Sequence, residues 1–419
     1  METQEVVALT RLRDRWSPDA RAAGYPLVRL TGERFRVPTD QIPGLVAQGL
    51  VFDPSSSGVD WWRAPRRILA HEPARGVEPW SDAPTPGSLR IVQGCGYDPG
   101  QAAYRLHAAL NEWTQHASAF VRWGDTNPYS RLRQWDGERD RELVRRLVYE
   151  ADVVHCHMDY LLIGNTDVQP RGLVIRHYHG SRSDGRSNVE PALDAAVSAI
   201  TLGARLQLLS EGPGMQWLPI PVPVDRYRAL RQSVWRPARE FRVAHSPTKR
   251  SIKGTQAFIA ACETLRRRGL GIRAVLIEQT PMAEALVLKA RCDAVFDAFW
   301  LGLQGSGLEG AAMGLPVVAG DREAAALYRQ HVGQVPYTFA DSEAELVQVL
   351  ERLVLDAEWR SSEAARVAAY TREYHDYRAV ARRYEQILAR ALGRDDVLTA
   401  GSRAERPAGS SASREAIGA

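Results

Sequence analysis

The residues best suited to chemistry crowd the turn 245–254, where Thr248, Lys249, Arg250 and Lys253 follow a short apolar run over 241–244. The turn opens an amphipathic helix predicted over 256–268, with Phe258, Ile259, Cys262 and Leu265 on one face. A strand, a tight polar turn and a helix start form a natural anion site. The first N–H groups of a helix have no partner in the helix, and its dipole favours negative charge there. The chain holds 54 Lys plus Arg, of which only Lys249, Lys253 and Lys289 are lysines. Two of the three stand in this turn, where a compact ammonium is placed in preference to the usual guanidinium. Taken alone, the turn reads better as a solvated turn between strand and helix; the other segments change that.

A second segment, 305–318, reads as a glycine-rich loop, a short helix of small residues and a strand. Gly305, Ser306, Gly307 and Leu308 let backbone amides approach a ligand closely. Glu309 lies in the first helical turn, where a carboxylate is favoured electrostatically. For an isolated Glu the plain reading is a helix-end acid. The ligand reading has it accept hydrogen bonds from a sugar diol, since an ionised carboxylate only accepts. A third segment, 94–100, contains Gly94, Gly96 and Gly100 between a strand and a helix. His179 follows an apolar run and precedes Gly180 and Ser181; His155 and His157, with no acid/base partner in view, read as structural.

These segments need a scaffold. Apolar runs over 89–93, 119–123, 152–156, 173–177, 199–202 and 206–209 alternate with helical patterns such as 139–150. A second series begins at 241, with strands expected over 273–277, 294–296 and 316–319 and a helix over 282–291. Such alternation predicts parallel sheets covered on both faces, with ligands bound beyond the carboxyl ends of the strands. The expected organisation is a small α+β accessory unit over 1–60, including a helix from Asp40 to Gly49, then a Pro-rich linker over 61–87. A first Rossmann-like domain follows over 88–228 and a second over 229–376. A C-terminal helix over 377–394 and a disordered tail over 395–419 complete the chain.

At 419 residues, with 44% hydrophobic and 25% charged residues and a net charge of +4, the chain reads as an ordinary multidomain globular protein. No basic block or basic–aromatic ladder points to nucleic acid. Four widely spaced cysteines with no CxxC pair point to neither a zinc ribbon nor a redox motif, and a reduced, cytoplasmic setting is expected. No stretch approaches the ~18 apolar residues of a membrane span, and residues 1–15 lack the apolar core of a signal peptide. Metal dependence is not expected: there is no Asp-x-Asp after a strand, no HExxH, and no His/Cys cluster in the linear sequence. The glycine spacing of 94–100 departs from the dinucleotide fingerprint, and no GxSxG or Walker lysine motif occurs.

The order and spacing of these segments over about 88–392 resemble the retaining, GT-B-fold glycosyltransferases of family 4. The matching features are the turn with Lys253 and Gly254, and Glu309 with Ala312, Gly314, Pro316 and Val317. Earlier in the chain are residues 152–155, 178–181, 217–219 and 223–227, and near its end Tyr374 and His375. The resemblance implies two Rossmann-like domains facing a cleft. It implies Arg250 and Lys253 on a donor diphosphate, His179 near the reacting centre and Glu309 on the ribose. It also places Gly305, Ser306, Gly307 and Leu308 at the sugar or phosphates, and Gly96 and Gly100 across the cleft. The family's usual acid eight residues before Glu309 is replaced by Leu301; Gln304 is the nearest polar residue in that loop. Its usual arginine position is held by Thr248, and Arg250, two residues on, is the cation expected to serve. The implied activity is metal-independent transfer of a sugar from a nucleoside-diphosphate sugar, a co-substrate with no further cofactor. The acceptor would be a hydroxyl on a glycan, lipid or protein, and residues 1–60 could dock a partner. The alternative is a catalytically degenerate nucleotide-binding or scaffold protein of the same fold. An epimerase of similar fold would need acid/base residues that the sequence does not supply.

Overall fold

The computed structural model describes residues 3–11, 28–38, 51–52, 86–96, 100–122, 135–136, 140–180, 189–234, 238–278, 280 and 282–399; segments 3–11, 28–38, 51–52 and 135–136 are described as backbone. Strands β1 (Thr3–Arg11), β2 (Val28–Pro38) and β3 (Val51–Phe52) form an antiparallel sheet in the order β2-β1-β3. The expected helix from Asp40 to Gly49, most of the linker, residues 97–99, Ser181 and the tail from 400 lie outside the described residues.

The apolar runs of the first series pair as β4 (Arg90–Cys95), β5 (Ala117–Arg122), β6 (Trp135–Asp136), β7 (Val153–His157), β8 (Leu173–Tyr178), β9 (Ile200–Gly203) and β10 (Gln216–Trp217). All pairings are parallel, in the order β10-β9-β8-β7-β4-β5-β6. Helices α1 (Ala102–Trp113), α2 (Arg141–Glu150), α3 (Leu161–Gly164) and α4 (Pro191–Val197) fill the connections. Strand β7 is buried along its whole length, as a central parallel strand must be. The expected strand over 206–209 is instead a 3₁₀ turn, Leu206–Ser210, whose Leu206 and Leu208 are buried. A run of four residues, three of them leucine, does not distinguish a strand from a buried turn.

The second sheet is β11 (Phe241–His245), β12 (Ile272–Leu276), β13 (Ala294–Phe296), β14 (Val317–Ala319) and β15 (Thr338–Phe339), parallel in the order β12-β11-β13-β14-β15. Around it lie α5 (Val224–Val234), α6 (Arg250–Lys253), α7 (Thr255–Arg267), α8 (Met282–Ala290), α9 (Gly305–Ala312), α10 (Arg322–Val332), α11 (Glu343–Leu355) and α12 (Ala357–Tyr374). The expected inner face of α7, Phe258, Ile259, Cys262 and Leu265, packs with Val243, Phe296, Leu346 and Leu350. In each sheet the strand order reverses at one point, between β4 and β7 in the first and between β11 and β13 in the second. Open α/β sheets bind ligands at that reversal.

Two features cut across the expected divisions. Helix α5 runs through the boundary expected at 228, and its Tyr227, Leu230 and Val234 share a core with Val295, Leu308 and Ala311 of the second sheet's layer. The last helix, α13 (Tyr377–Leu392), returns to the first sheet, where Val380, Tyr384 and Leu388 pack with Leu89, Ile91 and Leu110. Order continues past it: Asp395–Val397 forms a 3₁₀ turn, and Val397 and Leu398 are buried in the same core, so the expected disorder does not start at 395. The chain therefore crosses between the layers twice. The crossings run side by side, with Val222 N–H donating to His375 O at 2.7 Å and Tyr377 N–H to Val222 O at 3.2 Å. Among the described residues no helix is long and apolar enough to cross a membrane.

Candidate functional site

The lysine-bearing turn ends at the strand-order reversal of the second sheet. Lys253 closes the single turn α6, and Gly254 follows with φ of 70°, a left-handed conformation that glycine adopts without penalty. A side chain there would also run into the Phe299 ring. The next residues start α7, so the turn is held between β11 and a long buried helix. Lys253 Nζ lies 3.4 Å from Asp297 Oδ1, and the Asp297 side chain is fully buried. Asp297 Oδ2 accepts from the amides of Gln304 (2.6 Å) and Gly307 (3.1 Å) at the N-terminus of α9. The carboxylate thus occupies the position where a helix start attracts an anion. Gly307 is required here, since a Cβ would strike Asp297 Oδ2. Arg250 is held by both oxygens of Glu278, at 2.8 and 2.6 Å.

One turn into α9, Glu309 lies between two cations. Oε1 accepts from Arg105 Nη2 at 2.5 Å and Oε2 from Lys289 Nζ at 2.5 Å; the three side chains are 9%, 2% and 1% exposed. Burial alone would raise the carboxyl's pKa, but Lys289 and Arg105 together hold it below its ordinary value. Arg105 belongs to α1, just after the first sheet's glycine turn, so this ion pair joins the two layers. Its Nε and Nη1 are buried without a hydrogen-bond partner, as is Ser306 Oγ at the start of α9.

At the first sheet's reversal, the Gly96 amide donates to Asp159 Oδ2 at 3.1 Å. Gly100 has open space where a side chain would stand, and Gln101 adopts φ of 55° before α1 begins. His179 lies just past β8, and its Nε2 is 2.8 Å from His157 Nδ1. His157 Nε2 is 2.9 Å from Gln93 Oε1 on β4, and His155 Nδ1 is 2.9 Å from the Tyr384 hydroxyl of α13. His155 stacks on His157 with ring centroids 4.1 Å apart, and His177 stands beside both. Burial pushes His155 down to about 3 and His179 to about 4, and His157 and His177 well below the usual imidazole range. The absence of a His/Cys cluster in the linear sequence does not carry over to the fold, which gathers four imidazoles.

The structure brings Lys253, Gly305, Ser306, Gly307, Leu308 and Glu309 around the start of α9, and Arg105 brings α1 to Glu309. Gly96 and His179 lie at the carboxyl end of the first sheet. Arg250 shares the lysine turn but faces Glu278. Sequence reasoning missed Arg105, Lys289, Asp297 and Glu278. Asp297 carried a usable signal, an acid directly after the strand 294–296. Arg105 carried none, being 204 residues from Glu309.

No protein-family model matches the chain, and no curated protein matches it. Solved structures do. HepE from Anabaena, in complex with UDP-glucose, superposes with a TM-score of 0.54 at 16% identity, covering 72% of this chain and 100% of its own. An alpha-glucosyltransferase in complex with UDP and a DNA 13-mer gives 0.55 at 12% identity, with 72% and 100% covered. What the chain shares with them is the fold: two parallel α/β sheets facing a cleft, the GT-B arrangement, preceded here by an additional N-terminal segment.

Proposed function

We propose that the chain is a glycosyltransferase of the retaining kind, moving a sugar from a nucleoside-diphosphate sugar to a hydroxyl acceptor. The observation that carries this reading is the cation-rich start of α9 at the second sheet's reversal. There Lys253 and two backbone amides converge on Asp297, and Arg105, two of whose guanidinium nitrogens have no hydrogen-bond partner, meets Glu309 on the same helix. A diphosphate entering there would displace the Asp297 carboxylate from Lys253 and the amides. Lys253, with Arg250 released from Glu278, would then stabilise the charge that develops on the leaving group, with no metal needed on the diphosphate. Glu309 has lone pairs left on both oxygens for a ribose diol. UDP or UDP-glucose in the two structures of like fold supports a uridine donor. The acceptor would enter beside the first sheet, where Asp159, Tyr160, Arg176 and Glu190 line a cavity of about 440 Å³. The four buried cysteines suit a cytoplasmic setting.

Calorimetric titration with UDP tests the donor site. Lys253→Ala is expected to weaken binding about 10- to 100-fold, the worth of a charge-assisted bond at a buried site. Equal affinities would remove the lysine from the diphosphate. A second reading, a nucleotide-binding protein without turnover, draws on Leu301 in the acid's place and on the doubly bonded Arg250–Glu278 pair. A panel of nucleotide sugars separates the two: sugar transfer or slow donor hydrolysis identifies the enzyme, and tight binding with neither identifies the scaffold.

A further inference from the structure

Two His-x-His pairs stand on adjacent parallel strands. Residues two apart on a strand share a face, and the register pairs His157 with His177, so His155, His157, His177 and His179 project from one side of β7 and β8. His155, His157 and His177 are at most 2% exposed. One ligand nitrogen from each lies within 4.8 Å of one from each of the others.

The bonds these rings make decide which nitrogen of each carries the proton. His177 Nε2 is 3.2 Å from the Leu218 carbonyl, which only accepts, so Nε2 is the protonated nitrogen and Nδ1 holds the lone pair. Gln93 donates its amide N–H to Ser118 Oγ, which turns its carbonyl oxygen toward His157. His157 Nε2 therefore donates, and its Nδ1 lone pair accepts from His179 Nε2 at 2.8 Å, a bond that an ion would replace. His155 Nδ1 lies 2.9 Å from the Tyr384 hydroxyl, which donates or accepts, so this bond does not choose the tautomer; with Nδ1 protonated, Nε2 holds the lone pair that an ion would take. Of the three lone-pair nitrogens, His155 Nε2 and His177 Nδ1 are buried without a hydrogen-bond partner. Leaving two imidazole nitrogens unsatisfied side by side in a core is costly. An ion accepting both lone pairs removes that cost. In metal sites a ligating His commonly fixes its other nitrogen on a carbonyl or another oxygen, the pattern seen here three times.

We propose that His155, His157 and His177 bind one divalent transition-metal ion of the zinc class, with water or the His179 ring completing four ligands. Imidazole ligands suit such ions and not calcium or magnesium. Zinc–nitrogen bonds of about 2.0–2.1 Å at tetrahedral angles require ligand nitrogens roughly 3.4 Å apart, so the rings draw together on the ion. Burial keeps the imidazoles neutral, the form that binds metal. The ion lies at the first sheet's strand ends and takes no part in holding the diphosphate proposed above.

The test uses the full, tag-free chain after chelator treatment, titrated with Zn²⁺ by calorimetry and with Co²⁺ by visible absorption. One Zn²⁺ per chain with Kd of about 1 µM or tighter is expected, with the intense visible bands of tetrahedral Co²⁺. His177→Asn should weaken binding about 100-fold, and Gln93→Ala, which frees His157 Nε2, about 10-fold. The exposed His331→Ala should change nothing. Wild-type protein that takes up no stoichiometric ion, or binds it without tetrahedral Co²⁺ bands, overturns the proposal without recourse to any variant. So does a folded His177→Asn protein that binds as wild type. UDP titration of the same samples reads the donor site separately, so either proposal can fail alone.

Discussion

The carboxyl ends of the two sheets solve the same problem differently. In the second, four cations each meet a carboxylate: Arg250 with Glu278 and Lys253 with Asp297, while Lys289 and Arg105 share Glu309. In the first, charged pairs such as Arg176–Glu190 also occur, but the histidines gathered at the ends of β7 and β8 make a neutral end of their own, bonded to Gln93, Tyr384 and one another. A charge-compensated end must exchange one anion for another when it binds, so its affinity depends on how firmly the resident acid is held. A neutral end carries no resident counter-ion and is suited to a ligand that brings its own positive charge.

The largest expected effect comes from breaking the compensation at its most buried point. Glu309→Gln leaves Arg105 and Lys289 buried without a counter-charge and should cost about 3–5 kcal/mol of stability in chemical denaturation. A loss below about 1 kcal/mol would mean that water reaches the triad and that the two ends differ less than described. A smaller effect concerns the second sheet's own histidine. Burial, with Lys253, Arg250 and Lys289 nearby, pushes His245 down to about 3 despite its bond to the Phe296 carbonyl. A His with a lowered folded pKa is fully accommodated above its unfolded value near 6.5, and stability falls as pH drops from there toward 3. Wild type should therefore lose about 2 kcal/mol relative to His245→Gln between pH 6.5 and 5, at roughly 1.4 kcal/mol per unit. Parallel pH profiles would show that His245 titrates freely in the fold. The smallest effect sharpens the exchange argument. Glu278→Gln frees Arg250, which is partly exposed, and should tighten UDP binding roughly fivefold, about 1 kcal/mol. Unchanged or weaker binding would place Arg250 outside the donor site.

Much of the scaffold was legible because it depends on local periodicity. The boundaries of α13, the inner face of α7 and the alternation of both series follow from the spacing of apolar residues and from Asp376 and Gly393 at the helix ends. The 206–209 run and the two-residue strand β15 were not legible, since so few residues carry no period. At the site, the lysine turn and Glu309 were visible, but what each touches was not. Arg105 reaches Glu309 only because α1 and α9 meet across the layers, and nothing local encodes that. The histidines are an intermediate case. His155 and His157 read as structural and His177 was not singled out, because the cluster exists only where β7 and β8 are neighbours, a fact of topology.

The paired crossings at Val222 and His375–Tyr377 have a mechanical consequence. Two chain segments tied together at one place act as a single pivot, so the lobes can swing about that line but cannot slide past each other. Arg105 and Glu309 then form the clasp on the moving side. Any swing that parts the two layers at that point must undo a buried ion pair first, so under the proposed function the donor would enter through a gated step.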